Sequence, residues 1–130
     1  MKTVEVVAGI IEDKASGKIL ATERGYGEFK GLWEFPGGKI EPGETREAAL
    51  VRELREELAI DVKIEKFIAT VEYDYPKFHL TMHTFLCTIA EGEITLREHK
   101  AARWLSRKEL SSVEWLPADR DVATSLAGVF

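Results

Sequence analysis

Cysteine is nearly absent from this sequence. Cys87 is the only one, so no intramolecular disulfide can form, and a reducing, cytoplasmic setting is the plain expectation. Cys87 follows Phe85 and Leu86 in an apolar run and reads as a small buried hydrophobe. Long hydrophobic stretches are missing too. No run approaches the ~20 apolar residues of a membrane span, and the apolar stretch Val6 to Ile11, approached through Glu5, is too short for a signal peptide. There is no excess of positive charge: 18 basic against 23 acidic residues leave a net charge of −5. That argues against a binder of nucleic-acid polymers or anionic membranes, which would carry a basic face. It leaves room for a small anionic substrate, because a bound divalent cation inverts the local field. Repeats, low-complexity tracts and linkers are also lacking.

What remains is the composition of a globular protein, 45% hydrophobic and 32% charged over 130 residues. The expectation is one domain over residues 1–130, built without a disulfide or a structural metal. Val4 to Ile11 is rich in β-branched residues and reads as a strand. The turn cluster Asp13 to Gly17 and the segment Lys18 to Glu23 suggest a second strand returning as a hairpin. Leu32 to Phe35 reads as a short strand entering the Pro36-Gly37-Gly38 turn. Thr45 to Leu58 carries apolar residues near helical spacing, without Gly or Pro. Val62–Tyr73 and Phe78–Thr88 read as strands joined at Pro76, and Ala101–Leu105 as one more. Ser106 and Glu109 have capping-box spacing. Ala118–Leu126 reads as a helix with Pro117 near its start. This order is not strict βαβ alternation, so the expected class is α+β, a mixed sheet packed between helices.

The densest chemical signal is the helix. Glu53, Glu56 and Glu57 stand at i, i+3 and i+4, within ~5–6 Å of one another at Cβ, where like charges oppose helix formation. Such a cluster is either a solvated face offset by Arg46, Arg52 and Arg55, or a site for a hard cation that takes oxygen ligands. Spacing alone leaves both open.

The wider pattern runs from Gly38 over five residues to Glu44, then over seven to Arg52-Glu53-Leu54, Glu56-Glu57, Ala59 and Ile60. It resembles the signature of the Nudix hydrolases at every specified position except one. Ala59 stands where the family has Gly, and Ala in a left-handed helix ending would be strained by about 1 kcal/mol. Gly31-Leu32-Trp33-Glu34-Phe35-Pro36-Gly37-Gly38 is similar to the lead-in of the MutT and CTP-pyrophosphohydrolase branch, and the resemblance spans nearly the whole chain. It implies a Nudix-type α/β/α sandwich around a central mixed sheet. It also implies hydrolysis of a nucleoside triphosphate to a monophosphate and pyrophosphate with Mg2+, or Mn2+ in its place.

Residue by residue, the resemblance makes Glu53, Glu56, Glu57 and the Gly38 carbonyl cation ligands. Arg52 would orient Glu53, and Glu44 would pair with Arg52. Glu98 would be a further ligand or the base that activates water, a role for which Glu53 also stands. Arg24 would contact substrate phosphate. His99, beside Glu98, reads as a solvated loop histidine. The base pocket would draw on Phe35, on the Tyr75–Met82 strand pair and on Asp119.

Asp119 stands where MutT has Asn. An ionised Asp only accepts hydrogen bonds, which suits a cytosine amine and also a guanine N1–H and N2–H edge and leans mildly to the cytosine side, whereas a protonated Asp would also donate. Asp119 could instead cap the last helix. Trp33, Trp104 and Trp115 read as packing residues. The expected substrate is therefore (d)CTP-like or 8-oxo-dGTP, a role in nucleotide-pool sanitising, with the protein a monomer or homodimer. The alternatives are another nucleoside-diphosphate-linked substrate and a catalytically silent binding module. The second is disfavoured because Glu53, Glu56 and Glu57 are all present.

Overall fold

The computed structural model describes residues 2–127. Its elements are β1 (Lys2–Ile11), β2 (Ile19–Arg24), β3 (Trp33–Glu34), β4 (Gly37–Lys39), α1 (Arg46–Leu58), β5 (Asp61–Tyr75), β6 (Phe78–Glu91), β7 (His99–Leu105), a 3-10 turn (Arg107–Ser112) and α2 (Pro117–Leu126). β1 and β6 run parallel at the centre of a four-stranded sheet, with β4 antiparallel to β1 on one side and β5 antiparallel to β6 on the other. The expected mixed sheet is present. Beside it stands a separate three-stranded antiparallel sheet in the order β3-β2-β7.

The central pair is buried on both faces, as parallel pairing usually requires. Ala8, Ile10 and Met82 face the core shared with α2, whereas Val7, Ile11 and Phe85 face the core under α1. This is the period-two alternation of a strand. A Cβ on Gly9 would lie 3.2 Å from a Leu54 methyl, so glycine at this position lets α1 pack close to β1. Cys87 is fully buried, as expected.

α1 begins where the sequence places it. The Thr45 side chain accepts a hydrogen bond from Ala48 N, and Ala49, Leu50, Leu54 and Leu58 form the buried stripe. It ends on Ala59 at φ 58°, the one non-glycine residue with positive φ among those described. The alanine accepts the left-handed conformation at a cost of about 1 kcal/mol, and the local backbone follows a glycine-type ending. The Ser106–Glu109 capping box is formed, over a 3-10 turn.

Two expectations are corrected. β1 and β2 are not a paired hairpin: the Asp13–Gly17 turn is formed, but only a single bridge, Glu12 to Ile19, joins the two segments. β2 instead pairs with β3 and β7 in the second sheet. Burial explains this, since Ile19, Leu20 and Ala21 are fully buried and need cover on both faces. In addition, Gly37 to Lys39 is strand β4, paired to β1, and not only a turn. A side chain at Gly37 would collide with the Val7 carbonyl, so this pairing demands glycine.

Candidate active site

β4 and α1 meet at the glutamates. Arg52 is the hub: its Nε and Nη2 donate to the two Glu44 oxygens at 2.7 and 2.9 Å, and its Nη1 donates to Glu53 Oε1 at 2.9 Å. Nη1 also reaches Glu56 Oε1 at 3.2 Å, and Nη2 donates to the Lys39 carbonyl at 3.0 Å. The hydrogen bond from Arg52 holds the Glu44 carboxyl down to about 2, with help from the Glu41 backbone. Arg52 thus ties the loop before α1, the end of β4 and the helix face into one unit.

The three glutamates are not equivalent. The Glu53 and Glu57 side chains are 16% and 11% exposed, whereas that of Glu56 is 60% exposed. Glu53 and Glu57 line a cavity of 630 Å3 with Gly38, Tyr26 and Glu98, and Glu56 is not part of its wall. Burial pushes the Glu57 carboxyl up to about 9, reinforced by negative Glu53, Glu98 and Glu34. Burial also raises Glu53, against the opposing pull of Arg52. Glu98 is exposed and enters the cavity from the segment preceding β7. Arg97 N and Nη1 donate to the Glu57 and Glu56 carbonyls, both at 3.3 Å, holding that segment against the end of α1.

This site fits a hard divalent cation. Glu57 Oε1 is buried with no hydrogen-bond partner. At Gly38 any Cβ would run into the Glu53 carboxylate, so glycine keeps backbone and carboxylate in contact. The side-chain donors are mainly carboxylate oxygens, with the His99 ring also in the wall. Among the described residues no three His, Cys, Asp or Glu side chains already form a closed ligand group. A cation such as Mg2+ held here would take only one or two carboxylates from the chain and its other ligands from water and substrate phosphates.

A second, smaller cavity of 120 Å3 adjoins the first, and the two share Arg24, Glu34, Gly38 and Phe78. Its walls include Phe29, Phe35, Tyr75, Met82 and Asp119. Phe35 is buried and stacks on Trp115 at 4.6 Å between centroids, so it belongs to the core and to the pocket wall at once. Asp119 does not cap α2. The cap position is Leu116, with no side-chain bond. Asp119 Oδ2 accepts from Phe35 N at 2.9 Å, a buried contact between distant segments. Burial pushes Asp119 up to about 8, only partly opposed by the Phe35 hydrogen bond. The free N–H of Ala118 in α2 is met by the Tyr75 hydroxyl at 3.1 Å.

Arg24 stands on the wall between the cavities, but its guanidinium is held by Glu34 at 2.7 and 3.2 Å. Burial would raise Glu34, but hydrogen bonds from His99 and Arg24 outweigh it and hold the carboxyl below its ordinary value. His99 corrects the sequence reading: it opens β7 and its side chain is 5% exposed, not a solvated loop group. Glu34 is the residue that motif reasoning passed over, and His99 the one it set aside as solvated. Glu34 lay inside the quoted aromatic lead-in, where an acid between Trp33 and Phe35 in a short strand was the available signal.

The profile of the NUDIX domain family matches residues 2–126. The CTP pyrophosphohydrolase of Escherichia coli (strain K12) is 40% identical over 120 residues, covering 92% of this chain and 87% of that protein. The 8-oxo-dGTP diphosphatase of the same strain is 33% identical over 126 residues, covering 97% and 98%. The solution structure of MutT from methicillin-resistant Staphylococcus aureus 252 superposes with a TM-score of 0.76 at 38% identity, covering 98% of each chain. Nudix hydrolases are generally dependent on divalent metals. No helix among the described residues is long and apolar enough to cross a membrane. With its Arg52-centred carboxylates, its mixed sheet and a profile match spanning both, the chain belongs to the NUDIX domain family, as a Nudix hydrolase.

Proposed function

We propose that this chain, as a single Nudix domain, is a MutT-like pyrophosphohydrolase that converts a nucleoside triphosphate to the monophosphate and pyrophosphate. The observation carrying this reading is the union of two cavities. One is walled by Glu53, Glu57, Glu98 and Gly38, and the other, which shares Arg24 and Glu34 with it, is aromatic and closed by Asp119. A polyphosphate suits the first and a base the second.

Gly38, Glu53, Glu57 and Glu98 would hold Mg2+, with Mn2+ a workable substitute, and Glu56 stands outside this set. The cation supplies neutralisation of polyphosphate charge and Lewis-acid polarisation of the phosphoryl oxygens. Arg52 keeps Glu53 aligned and Glu44 keeps Arg52 in place. Glu53 or Glu98 accepts a proton from the attacking water. The water oxygen would bond to one of the two phosphorus atoms flanking the α–β bridge as the P–O bond from that phosphorus to the bridging oxygen breaks, and the bridging oxygen keeps the electron pair on the other product, giving monophosphate and pyrophosphate. Arg24, braced by Glu34, presents its remaining N–H groups to the phosphates.

The substrate class is a cytosine nucleotide, (d)CTP or a modified form, or 8-oxo-dGTP. A buried, neutral Asp119 alters the expectation drawn from an ionised acid. With Oδ2 occupied by Phe35 N, the carboxyl offers a hydroxyl donor as well as an acceptor, so it serves either base edge. The test is pyrophosphate release with Mg2+ across the standard triphosphates, 5-methyl-dCTP, 8-oxo-dGTP and ADP-ribose. A peak in kcat/KM at a cytosine nucleotide or at 8-oxo-dGTP is expected. A peak at ADP-ribose, or no triphosphate turnover, overturns the reading.

A further inference from the structure

The side chain of His99 is almost completely buried, yet its Nδ1 has no hydrogen-bond partner. Its Nε2 lies 3.5 Å from Glu34 Oε2 and 3.8 Å from Glu57 Oε2. Native structures rarely tolerate such a buried group without a role. The backbone is shaped to deliver this ring. Pairing of β7 with β2 passes from Ala101 opposite Glu23 directly to His99 opposite Arg24, leaving Lys100 as an extra residue. A bulge of this kind re-aims a side chain and is over-represented beside active sites. Gly25 makes room for it, since a Cβ there would lie 3.1 Å from the Glu98 carbonyl and 3.2 Å from Lys100 N.

Glu57 shows the complementary asymmetry. Oε2 faces His99, while Oε1 is buried and unpartnered. We infer that His99 is a positioning residue: its buried ring, with Nε2 3.8 Å from Glu57 Oε2, confines that oxygen and so keeps Oε1 turned toward a divalent cation. Through Glu34, the same ring ties that carboxylate to the wall of the adjoining aromatic cavity. The inference rests on the reading of Glu57 as a cation ligand. Partners that orient ligand groups typically contribute 10–100-fold in metal affinity or activity.

The experiment is calorimetric titration of Mn2+ into the nucleotide-free full chain, with steady-state kinetics and thermal melting alongside. Three variants are compared with wild type: His99→Leu, His99→Gln and His99→Asn. Gln can place its amide N–H near the position of Nε2, whereas the shorter Asn cannot. Leu and Asn are expected to weaken Mn2+ binding by about 10–100-fold and to lower kcat more than they change KM, with Gln recovering much of both. Wild-type Mn2+ affinity in a folded Leu or Asn variant overturns the inference. So does equal loss in Gln and Asn at equal Tm. Should Leu fail to fold, the Gln–Asn comparison decides alone. Glu57→Gln separates the two levels. If it binds Mn2+ as tightly as wild type, the cation-site reading itself fails; if it is impaired while the His99 variants are not, only the role of His99 falls.

Discussion

The two adjoining cavities are built by different means. The Arg52 side is a network of ionised groups drawn mainly from one stretch of chain, Lys39 to Glu56. The Asp119 side is a largely aromatic and aliphatic enclosure, with the Arg24–Glu34 ion pair on the wall it shares, and its parts come from across the chain. Phe35 is joined to Asp119, and Tyr75 to Ala118, through buried hydrogen bonds. An ion network keeps charge available for phosphates and a cation. A buried carboxyl pushed up toward its neutral form offers direction with less charge, which under the proposed function would suit the cavity that receives the base.

The sharpest way to break this comparison is to remove charge on the phosphate side. Glu53→Gln is expected to lower kcat by about 10²–10⁴-fold with an unchanged melting curve. Chelation by EDTA should abolish activity and Mg2+ should restore it; turnover that survives chelation would sink the mechanism. Arg52→Ala should follow with a loss of about 10–100-fold in kcat, because Glu53 and Glu44 lose a common donor.

On the base side Asp119→Asn is expected to change preference across the nucleotide panel more than total rate. Unchanged preference would reduce Asp119 to a structural link to Phe35. The same residue makes stability depend on pH. The native state keeps a proton that the unfolded chain releases above its ordinary value of 3.8, and gives it up only at about 8. Unfolding therefore releases a proton between these values, and this contribution to stability declines as pH rises through that window. Thermal melts of wild type against Asp119→Asn should differ in slope across it, the variant being flatter.

The smallest effect belongs to neither side. Ala59→Gly should relieve the left-handed alanine, raising stability by about 1 kcal/mol without changing kcat. A melting temperature that fell would show that Ala59 is not strained.

Much of the fold was legible because it depends on local pattern. Thr45, the apolar stripe and the acid spacing define α1 and bring Glu44, Arg52 and Glu53 within reach of one another. The Ser106–Glu109 box, the Pro117 start and the β5–β6 pair are also local. The β1–β2 hairpin was misread because a turn signal says where the chain reverses, not which partners its strands find. Burial of Ile19, Leu20 and Ala21 sent β2 to a second sheet. Asp119 was open to reading as a cap because its sequence position suits one. Its actual partner, Phe35 N, lies in another element altogether.

The sequence alone determined helix α1 and the family, because the apolar stripe and the signature residues stand at fixed spacings along one stretch of chain, while the i, i+3, i+4 spacing of the acids left a solvated face and a cation site both open. Only the tertiary structure decided which glutamates face the cavity, that His99 stands buried between Glu34 and Glu57, and that burial pushes the Asp119 carboxyl up. Those properties depend on how much water is excluded and which distant groups replace it, and exclusion of water is a property of packed elements, not of neighbours along a chain.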